Sequence, residues 1–387
     1  MEKLFCPHRA KPFTISKRKV KLDSNIKRWR FEFDTGNGQL TGRQLAQLYS
    51  AVSTFLDKYN SGMYIFALNM RTFDFQDKNV YIFLELLAYY ILKHGKFTFE
   101  VFFDQPAFYM LESVGFQNTA LYRFMMNQGI LKYIENKTDF ISFYENPQHL
   151  TDKWYRRVLN SDAIAVGNIS GQIAEEVESF LKRYDIPHST TVNTYSVVLE
   201  LISNAKHNDG DCILDIDICN NVINMSFINL FDGRMFDKLG FMYRDDKLFQ
   251  NVQEKIHMAI GYHSLHFGDM YTEDDFYFIS TFQEGITTRL EPSGGTGLTT
   301  VVNAIAEEDE NAYSYVLSGN NLLFLRKSFL GDGGSIVGFN KTNDYFRDIP
   351  ERSIIDRCQL YIPGVVFQLV FSFGVSDNGK RKNYAGV

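Results

Sequence analysis

The chain has 387 residues and a net charge of −6 at pH 7, with 45% hydrophobic and 22% charged residues. This length favours two domains, the composition is that of a globular protein, and the acidic balance argues against a dedicated nucleic-acid binder. Residues 1–30 are an exception, because they hold ten Lys or Arg and only two acidic residues. This basic arm, which we assign to residues 1–24, either contacts phosphates or an acidic partner, or is a solvated terminal segment.

The cysteines and the apolar runs indicate a cytoplasmic protein. The four cysteines have no CxxC spacing, and the chain does not start with a signal peptide, so we expect reduced thiols. The longest apolar runs are too short to cross a bilayer, which predicts no membrane segment.

From residue 25 to 135 the pattern alternates between strands and helices. The predicted strands are Arg28–Asp34, Met63–Met70 and Phe97–Phe103. The predicted helices are Leu40–Tyr59, Val80–Leu92 and Ala107–Val114. This order predicts a small α/β layer.

The segments MYIFALNMRTFDFQDKNVYIFLELLAYYILKHG, FTFEVFF and FYMLESVGF resemble a STAS domain, the fold of anti-sigma-factor antagonists, over about 90 residues. That family has a phosphorylatable Ser or Thr at the start of the helix after the second complete strand. This sequence has Asp74-Phe75-Gln76-Asp77 there, and Asp77 is expected to cap the helix instead. The resemblance therefore implies a STAS-like domain at 25–135 that has lost its phosphorylation switch.

Residues 136–166 are polar and are predicted to be an irregular linker, after which helices are predicted at Gly171–Tyr184 and Thr191–Asn208. In the second helix, Glu200, Asn204 and Asn208 recur every four residues and share one face. An amide oxygen can ligate a hard cation and a carboxylate can orient or deprotonate a nucleophile, so this edge suits a site for Mg²⁺ and phosphate. The alternative is a solvated face with three unrelated polar residues.

Two strands, Cys212–Ile218 and Val222–Leu230, are predicted to form a hairpin around a tight turn. Its second strand leads into Asn229-Leu-Phe-Asp232-Gly233. Further on, Phe282-Gln-Glu-Gly-Ile-Thr-Thr288-Arg289 precedes Ser293-Gly294-Gly295-Thr296-Gly297-Leu298. Glycines allow a close approach of the backbone to phosphate, and a following helix, predicted at Thr299–Ala306, presents free N–H groups.

Two further strands, Tyr313–Ser318 and Leu322–Arg326, are predicted around a turn at Gly319-Asn320-Asn321. A last strand, Val365–Phe373, follows Pro363-Gly364.

The segment Ser196-Val-Val-Leu-Glu200-Leu-Ile-Ser-Asn204-Ala205, the hairpin and the glycine segment, in this order, resemble the GHKL (histidine-kinase-like, Bergerat-fold) ATPases from Gly167 to Val375. The resemblance implies an α/β sandwich at 167–376, with a mixed sheet covered by helices on one face, and a flexible tail at 377–387. In the family a Pro-Gly-Thr sequence opens the last strand, whereas Val365 replaces the threonine here.

The resemblance also implies ATP and Mg²⁺ as ligands, with Glu200 as the catalytic base and Asn204 at the metal. Adenine is read either by Asn229, which we prefer, or by Asp232 with Gly233. The residues expected at the nucleotide are completed by Asn208, Thr288, Arg289, Gly294, Gly295, Thr296, Gly297 and Leu298.

Residues 233–293 are expected to form a long lid with a helical insert at Lys247–Ile260. Such lids order on nucleotide binding and report it to partners. A metal site formed by His257, His263 and His266 with the acidic run that follows them is the alternative.

The sequence as a whole leaves three functions open. The first is an ATP hydrolase or ATP-gated switch that controls a protein partner. The second is a protein Ser/Thr kinase of the anti-sigma-factor type, and the third is a nucleotide-sensing scaffold without turnover. All three imply a partner protein or a homodimer and no nucleic acid.

Overall fold

The structure is a computed structural model that describes residues 15, 20–34, 39–70, 74–75, 78–103, 131–133, 137–165, 167–208, 210–219, 221–289, 297–308, 313–331 and 333–373. The predicted helix at 107–114, the Asp77 cap and the tail at 377–387 lie outside these residues. The chain divides into two compact units. One falls within residues 1–154 together with 359–361, and the other within 155–358 together with 362–387.

The first unit is built on a mixed sheet. Its strands are β1 (Val20–Asp23), β2 (Arg28–Asp34), β4 (Tyr64–Met70), β6 (Thr98–Phe103) and β7 (Leu131–Tyr133), in that spatial order, while β3 (Gln39–Leu40) and β5 (Asp74–Phe75) pair with each other. The β2, β4 and β6 strands are parallel, and the outer strands β1 and β7 are antiparallel to their neighbours. The end of the predicted basic arm is therefore the edge strand β1.

Two long helices connect the parallel strands. They are α1 (Gly42–Tyr59) and α2 (Lys78–His94), and a third helix, α3 (Lys137–Glu145), comes after β7. Aromatic rings of α1 and the sheet fill the core, since the Phe55 ring lies 5.2 Å from Phe66 and 4.8 Å from Phe97. The Tyr49 hydroxyl donates a hydrogen bond to the Phe83 carbonyl oxygen over 2.7 Å, which joins α1 to α2.

The second unit contains a largely antiparallel sheet and most of the helices that the structure describes. The strands follow the spatial order β12 (Tyr315–Phe324), β13 (Ile355–Ser372), β11 (Val222–Leu230), β10 (Asp211–Cys219) and β9 (Trp154–Leu159). The pairs β12–β13, β13–β11 and β11–β10 are antiparallel.

The helices of this unit are α4 (Ser161–Ala165), α5 (Ile169–Leu181), α6 (His188–His207), α7 (Asp237–Arg244), α8 (Gln250–His263), α9 (Glu273–Ser280) and α10 (Gly297–Ala306). Alternate residues of β10, β11 and β13 share one hydrophobic core with α5, α6 and α10, as the two-residue period of a strand requires. The protein is thus of the mixed α/β class.

Two predictions about local structure are wrong. Residues 137–165 were expected to be irregular, but they contain α3, α4, the short strand β8 (Gln148–Leu150) and β9. The turn predicted at residues 319–321 does not exist, because β12 is one strand that pairs with β13 through two register shifts. Gly319 adopts a φ of 63° there, so the glycine serves an irregularity within a strand and not a chain reversal.

Among the helices that the structure describes, none is both long and apolar enough to cross a membrane.

Candidate functional site

One cavity of about 660 Å³ lies between α6, α7, the end of β11, the middle of β13 and residues 281–289. Most of the side chains expected at a nucleotide line this cavity. They are Glu200, Asn204, Asn208, Asn229, Asp232, Thr288, Arg289 and Leu298. Gly294, Gly295 and Thr296 lie outside the described residues, and Gly297 is the first residue of α10.

The helix α6 contributes the polar edge of the cavity because its other side is committed to the core. Val198, Leu201, Ile202 and Ala205 are buried in the hydrophobic core. Glu200 and Asn204 lie on the adjacent face and are only half-buried. This division follows from the 3.6-residue period of the helix.

Glu200, Asn204 and Arg289 form a connected polar group. The Asn204 Nδ2 atom donates to Glu200 Oε1 over 2.7 Å, and the Arg289 Nη2 atom donates to Asn204 Oδ1. Because a guanidinium group can only donate, the amide oxygen must face Arg289 and the amide nitrogen must face Glu200. The orientation of the Asn204 carboxamide is therefore fixed by the chemistry of its two neighbours.

The Glu200 carboxyl group has a shifted pKa. Burial raises the pKa above its ordinary value, while the positive charge of Arg289 and the hydrogen bond from Asn204 oppose that rise. A carboxylate with a raised pKa is a better proton acceptor near neutral pH than a fully hydrated one.

Asn229, at the end of β11, is the most enclosed polar residue of the predicted site, with 1% of its surface exposed. Its Nδ2 atom donates to the Asp211 carbonyl oxygen over 3.3 Å. Its Oδ1 atom accepts from Asn208 Nδ2 over 3.2 Å. Since a carbonyl oxygen can only accept, the amide nitrogen is held towards Asp211 and the amide oxygen towards Asn208.

The strand β13 closes this end of the cavity. Val365 is the register partner of Asn229, and both line the cavity. The Gly364 N–H group donates to the Gly233 carbonyl oxygen over 2.7 Å. Asp232, by contrast, is exposed.

Several lining residues did not stand out in the sequence, among them His207, Arg234, Met235, Lys238 and Met242. Arg234 forms ion pairs with Asp237 over 2.7 Å and with Asp274. The only available signal for Arg234 was its position directly after Asp232-Gly233. Its partner Asp274 is 40 residues away in sequence, so the pair could not be read from local spacing.

Residues 233–289, within the predicted lid, contain three helices where one was predicted. The predicted helix at 247–260 is found as α8, three residues later, and α7 and α9 were not predicted. Side chains of α7, α8 and α9 belong to the hydrophobic core of the second unit. Gln283 is buried and binds Val337 twice, through its Nε2 atom to the carbonyl oxygen over 2.9 Å and through its Oε1 atom from the N–H group over 2.8 Å. Residues 233–289 are therefore an integral part of this unit's packing.

His257, His263 and His266 do not form a metal site. Both ring nitrogens of buried His263 are engaged, Nδ1 with the Tyr271 hydroxyl at 2.6 Å and Nε2 with the Tyr345 carbonyl oxygen at 2.7 Å. Throughout the described ranges, no three His, Cys, Asp or Glu residues are grouped so that they could hold a metal ion.

No family model, curated protein or solved structure matches this chain. The fold and the cavity together define a mixed α/β protein with a partly open, partly polar cavity.

Proposed function

We propose that the cavity binds ATP with Mg²⁺ and that the protein hydrolyses this ATP to control a protein partner. The observation that carries the proposal is that one cavity is lined by Glu200 and Asn204, by Asn229 and by Arg289, which come from three separate parts of the chain. Its volume is within the range of small-molecule sites.

The two polar groups of the cavity suit the two ends of a nucleoside triphosphate. Asn208 and Glu200 are eight residues apart in sequence, or about 12 Å along a helix axis. The triphosphate fits the end with Glu200 and Arg289, since a guanidinium is a strong phosphate ligand. The base fits the end with Asn229, between apolar side chains that include Val365 and Phe367.

The fixed amide of Asn229 supports adenine as the base. The Asn229 Nδ2 atom donates a hydrogen bond to the Asp211 carbonyl oxygen, and this bond directs the amide oxygen of Asn229 away from Asp211. An amide oxygen accepts hydrogen bonds, and the edge of adenine that carries the exocyclic amine donates one. We therefore assign the base to Asn229 and not to the exposed Asp232.

The residues present fit a divalent cation. Asn204 offers an amide oxygen, a hard ligand of the kind that Mg²⁺ takes together with substrate phosphates and water, and the neighbouring Glu200 carboxylate remains available as the base. When bound, Mg²⁺ would neutralise charge that develops on the phosphate oxygens.

The chain's own residues then act as follows. Glu200 accepts a proton from the attacking water, a role to which its raised pKa is suited. Asn204 keeps the Glu200 carboxylate oriented through its hydrogen bond of 2.7 Å. Arg289 stabilises negative charge at the terminal phosphate.

Incubation of the protein with γ-labelled ATP, alone and with candidate partners, tests this function. Free phosphate indicates hydrolysis, labelled protein indicates a kinase, and binding without either indicates a scaffold. Glu200→Gln should keep ATP binding and lower turnover by about 10²–10⁴-fold. Unchanged turnover would remove Glu200 from the mechanism.

Two matched control variants distinguish an effect on the site from an effect on folding. Asn204→Ala should abolish binding of Mg²⁺-ATP, whereas Asn193→Ala, on the same helix, should not. The Asn193 side chain binds Glu307 over 2.6 Å at an exposed position outside the cavity. Likewise, Glu175→Gln on the exposed side of α5 controls for Glu200→Gln. Tight Mg²⁺-ATP binding by Asn204→Ala would refute the proposed site.

A further inference from the structure

The amide oxygen that the proposed function assigns to Mg²⁺ is already bound by a positively charged group. Arg289 donates to Asn204 Oδ1, and Asn204 in turn donates to Glu200. The guanidinium therefore lies where a cation ligated by Asn204 would lie. Two cations this close repel each other, so the Arg289 contact and a cation contact at this oxygen exclude each other.

We propose that Arg289 and Mg²⁺ exchange at Asn204. Arg289 binds the amide oxygen before the nucleotide arrives, and it transfers to the terminal phosphate when the Mg²⁺-ATP complex takes that oxygen. The inference rests on the proposed function and adds a regulated step to it, because occupancy by Mg²⁺-ATP becomes coupled to the position of the Arg289 side chain.

The charge balance of the site supports an exchange. The half-buried Glu200 carboxylate accepts a hydrogen bond from Asn204, and the amide oxygen of Asn204 is bound by the positively charged Arg289. With either Arg289 or a divalent cation beside it, the carboxylate keeps a counter-charge. A simple departure of Arg289 without replacement would leave a partly buried carboxylate with a weaker partner, which is costly.

The residues just before Arg289 are anchored, so the exchange of its hydrogen-bond partner is confined to a short stretch of chain. Glu284 N–H donates to the Ser335 carbonyl oxygen over 2.8 Å, and Lys255 Nζ donates to the Glu284 carbonyl oxygen over 3.2 Å. Ile286 is buried. Arg289 follows only three residues later, and its long side chain can exchange one oxygen partner for another without movement of this anchor.

The experiment measures the affinity of ADP and of a non-hydrolysable ATP analogue by calorimetry, from excess EDTA to saturating Mg²⁺. It compares the wild type with Arg289→Gln, Arg289→Lys and the control Arg244→Gln, an exposed arginine of α7 that pairs with Glu273. Arg289→Gln removes a competing charged hydrogen bond, so the Mg²⁺ concentration at half-saturation with ADP should fall about tenfold. At saturating Mg²⁺ the same variant should bind the ATP analogue more weakly, because it lacks the phosphate contact.

Arg289→Lys keeps the charge and should retain a cation requirement near that of the wild type, as should Arg244→Gln. If Arg289→Gln binds ADP with an unchanged or higher Mg²⁺ requirement, the exchange is wrong while nucleotide binding stands. If the wild type binds neither nucleotide at any Mg²⁺ concentration, the proposed function fails and the exchange fails with it. If Arg289→Lys also lowers the Mg²⁺ concentration at half-saturation about tenfold, the effect comes from disturbed packing, and this result would also overturn the exchange.

Discussion

The substitution Gly364→Ala tests the packing that supports Asn229. A Cβ atom at residue 364 would lie 2.1 Å from the Asn229 carbonyl oxygen and 2.9 Å from the Phe231 nitrogen. Both contacts are with the backbone, so no side-chain rotation can relieve them. The φ of Gly364 is also +96°, a conformation that L residues rarely adopt.

The expected cost has two parts. The positive φ contributes about 1–2 kcal/mol. The forced displacement of β11 or β13 adds about 1–3 kcal/mol, the usual cost of overpacking a well-packed interior. The total loss in the free energy of unfolding is therefore about 2–5 kcal/mol.

Gly167→Ala is the matched control, because Gly167 also has a positive φ, of +54°, but a Cβ atom added there would have no other atom within 4 Å. It should cost only the conformational part, about 1–2 kcal/mol. Urea unfolding followed by circular dichroism measures both values, and hydrogen exchange over β11 tests whether the site strand has loosened. Equal losses in the two variants would show that the contact with Asn229 is not a real constraint.

Three other substitutions have clear expected outcomes. Gly261 is exposed within α8 with no atom within 4 Å of its added Cβ, so Gly261→Ala should raise the free energy of unfolding by about 0.5–1 kcal/mol in a urea titration. Burial lowers the pKa of His263 below its ordinary 6.5, so the unfolded chain binds the proton more readily. Stability should be fully present above about pH 6.5 and decline as the pH falls towards the folded-state pKa, by at most about 1.4 kcal/mol per pH unit. The decline should be smaller in His263→Gln, and an identical pH dependence would exclude His263 as its source. Finally, Asn229→Leu keeps the approximate volume but loses the acceptor, so ATP should lose its advantage over GTP in a competition assay, and retained discrimination would assign the base to another residue.

Regular elements with a clear period could be predicted from the sequence to within a few residues. The strands β2 and β11 have the predicted limits, and α6 begins three residues before its predicted start. The polar edge of α6 was visible because four-residue spacing is a local property of a helix. The gathering of Glu200, Asn229 and Arg289 in one cavity was expected only from the resemblance to GHKL proteins, since no local pattern connects them.

Contacts between distant segments could not be predicted. The His263–Tyr345 hydrogen bond spans 82 residues, and the Gln283–Val337 pair spans 54. In neither pair does the position of the residues in the sequence distinguish them from ordinary surface residues. The Gly319-Asn320-Asn321 sequence has the composition of a turn, but pairing with β13 across both sides of it is stronger than this local preference. Tertiary packing thus decided the outcome where local signals were weak or misleading.

Two of the three carboxamides that line the cavity, those of Asn204 and Asn229, are oriented by partners that can only donate or only accept a hydrogen bond. Arg289 can only donate, so the amide of Asn204 directs its oxygen to the guanidinium. The Asp211 carbonyl oxygen can only accept, so the amide of Asn229 directs its nitrogen to Asp211 and its oxygen away from it. Preset dipoles lower the cost of ordering a ligand, because the reorientation has been completed during folding. The two ends differ in one respect: the amide nitrogen of Asn229 is held by backbone within a paired strand, whereas the amide oxygen of Asn204 is held by a long side chain. The base end is therefore fixed with the fold, and the phosphate end is the one where binding can change the arrangement of the protein.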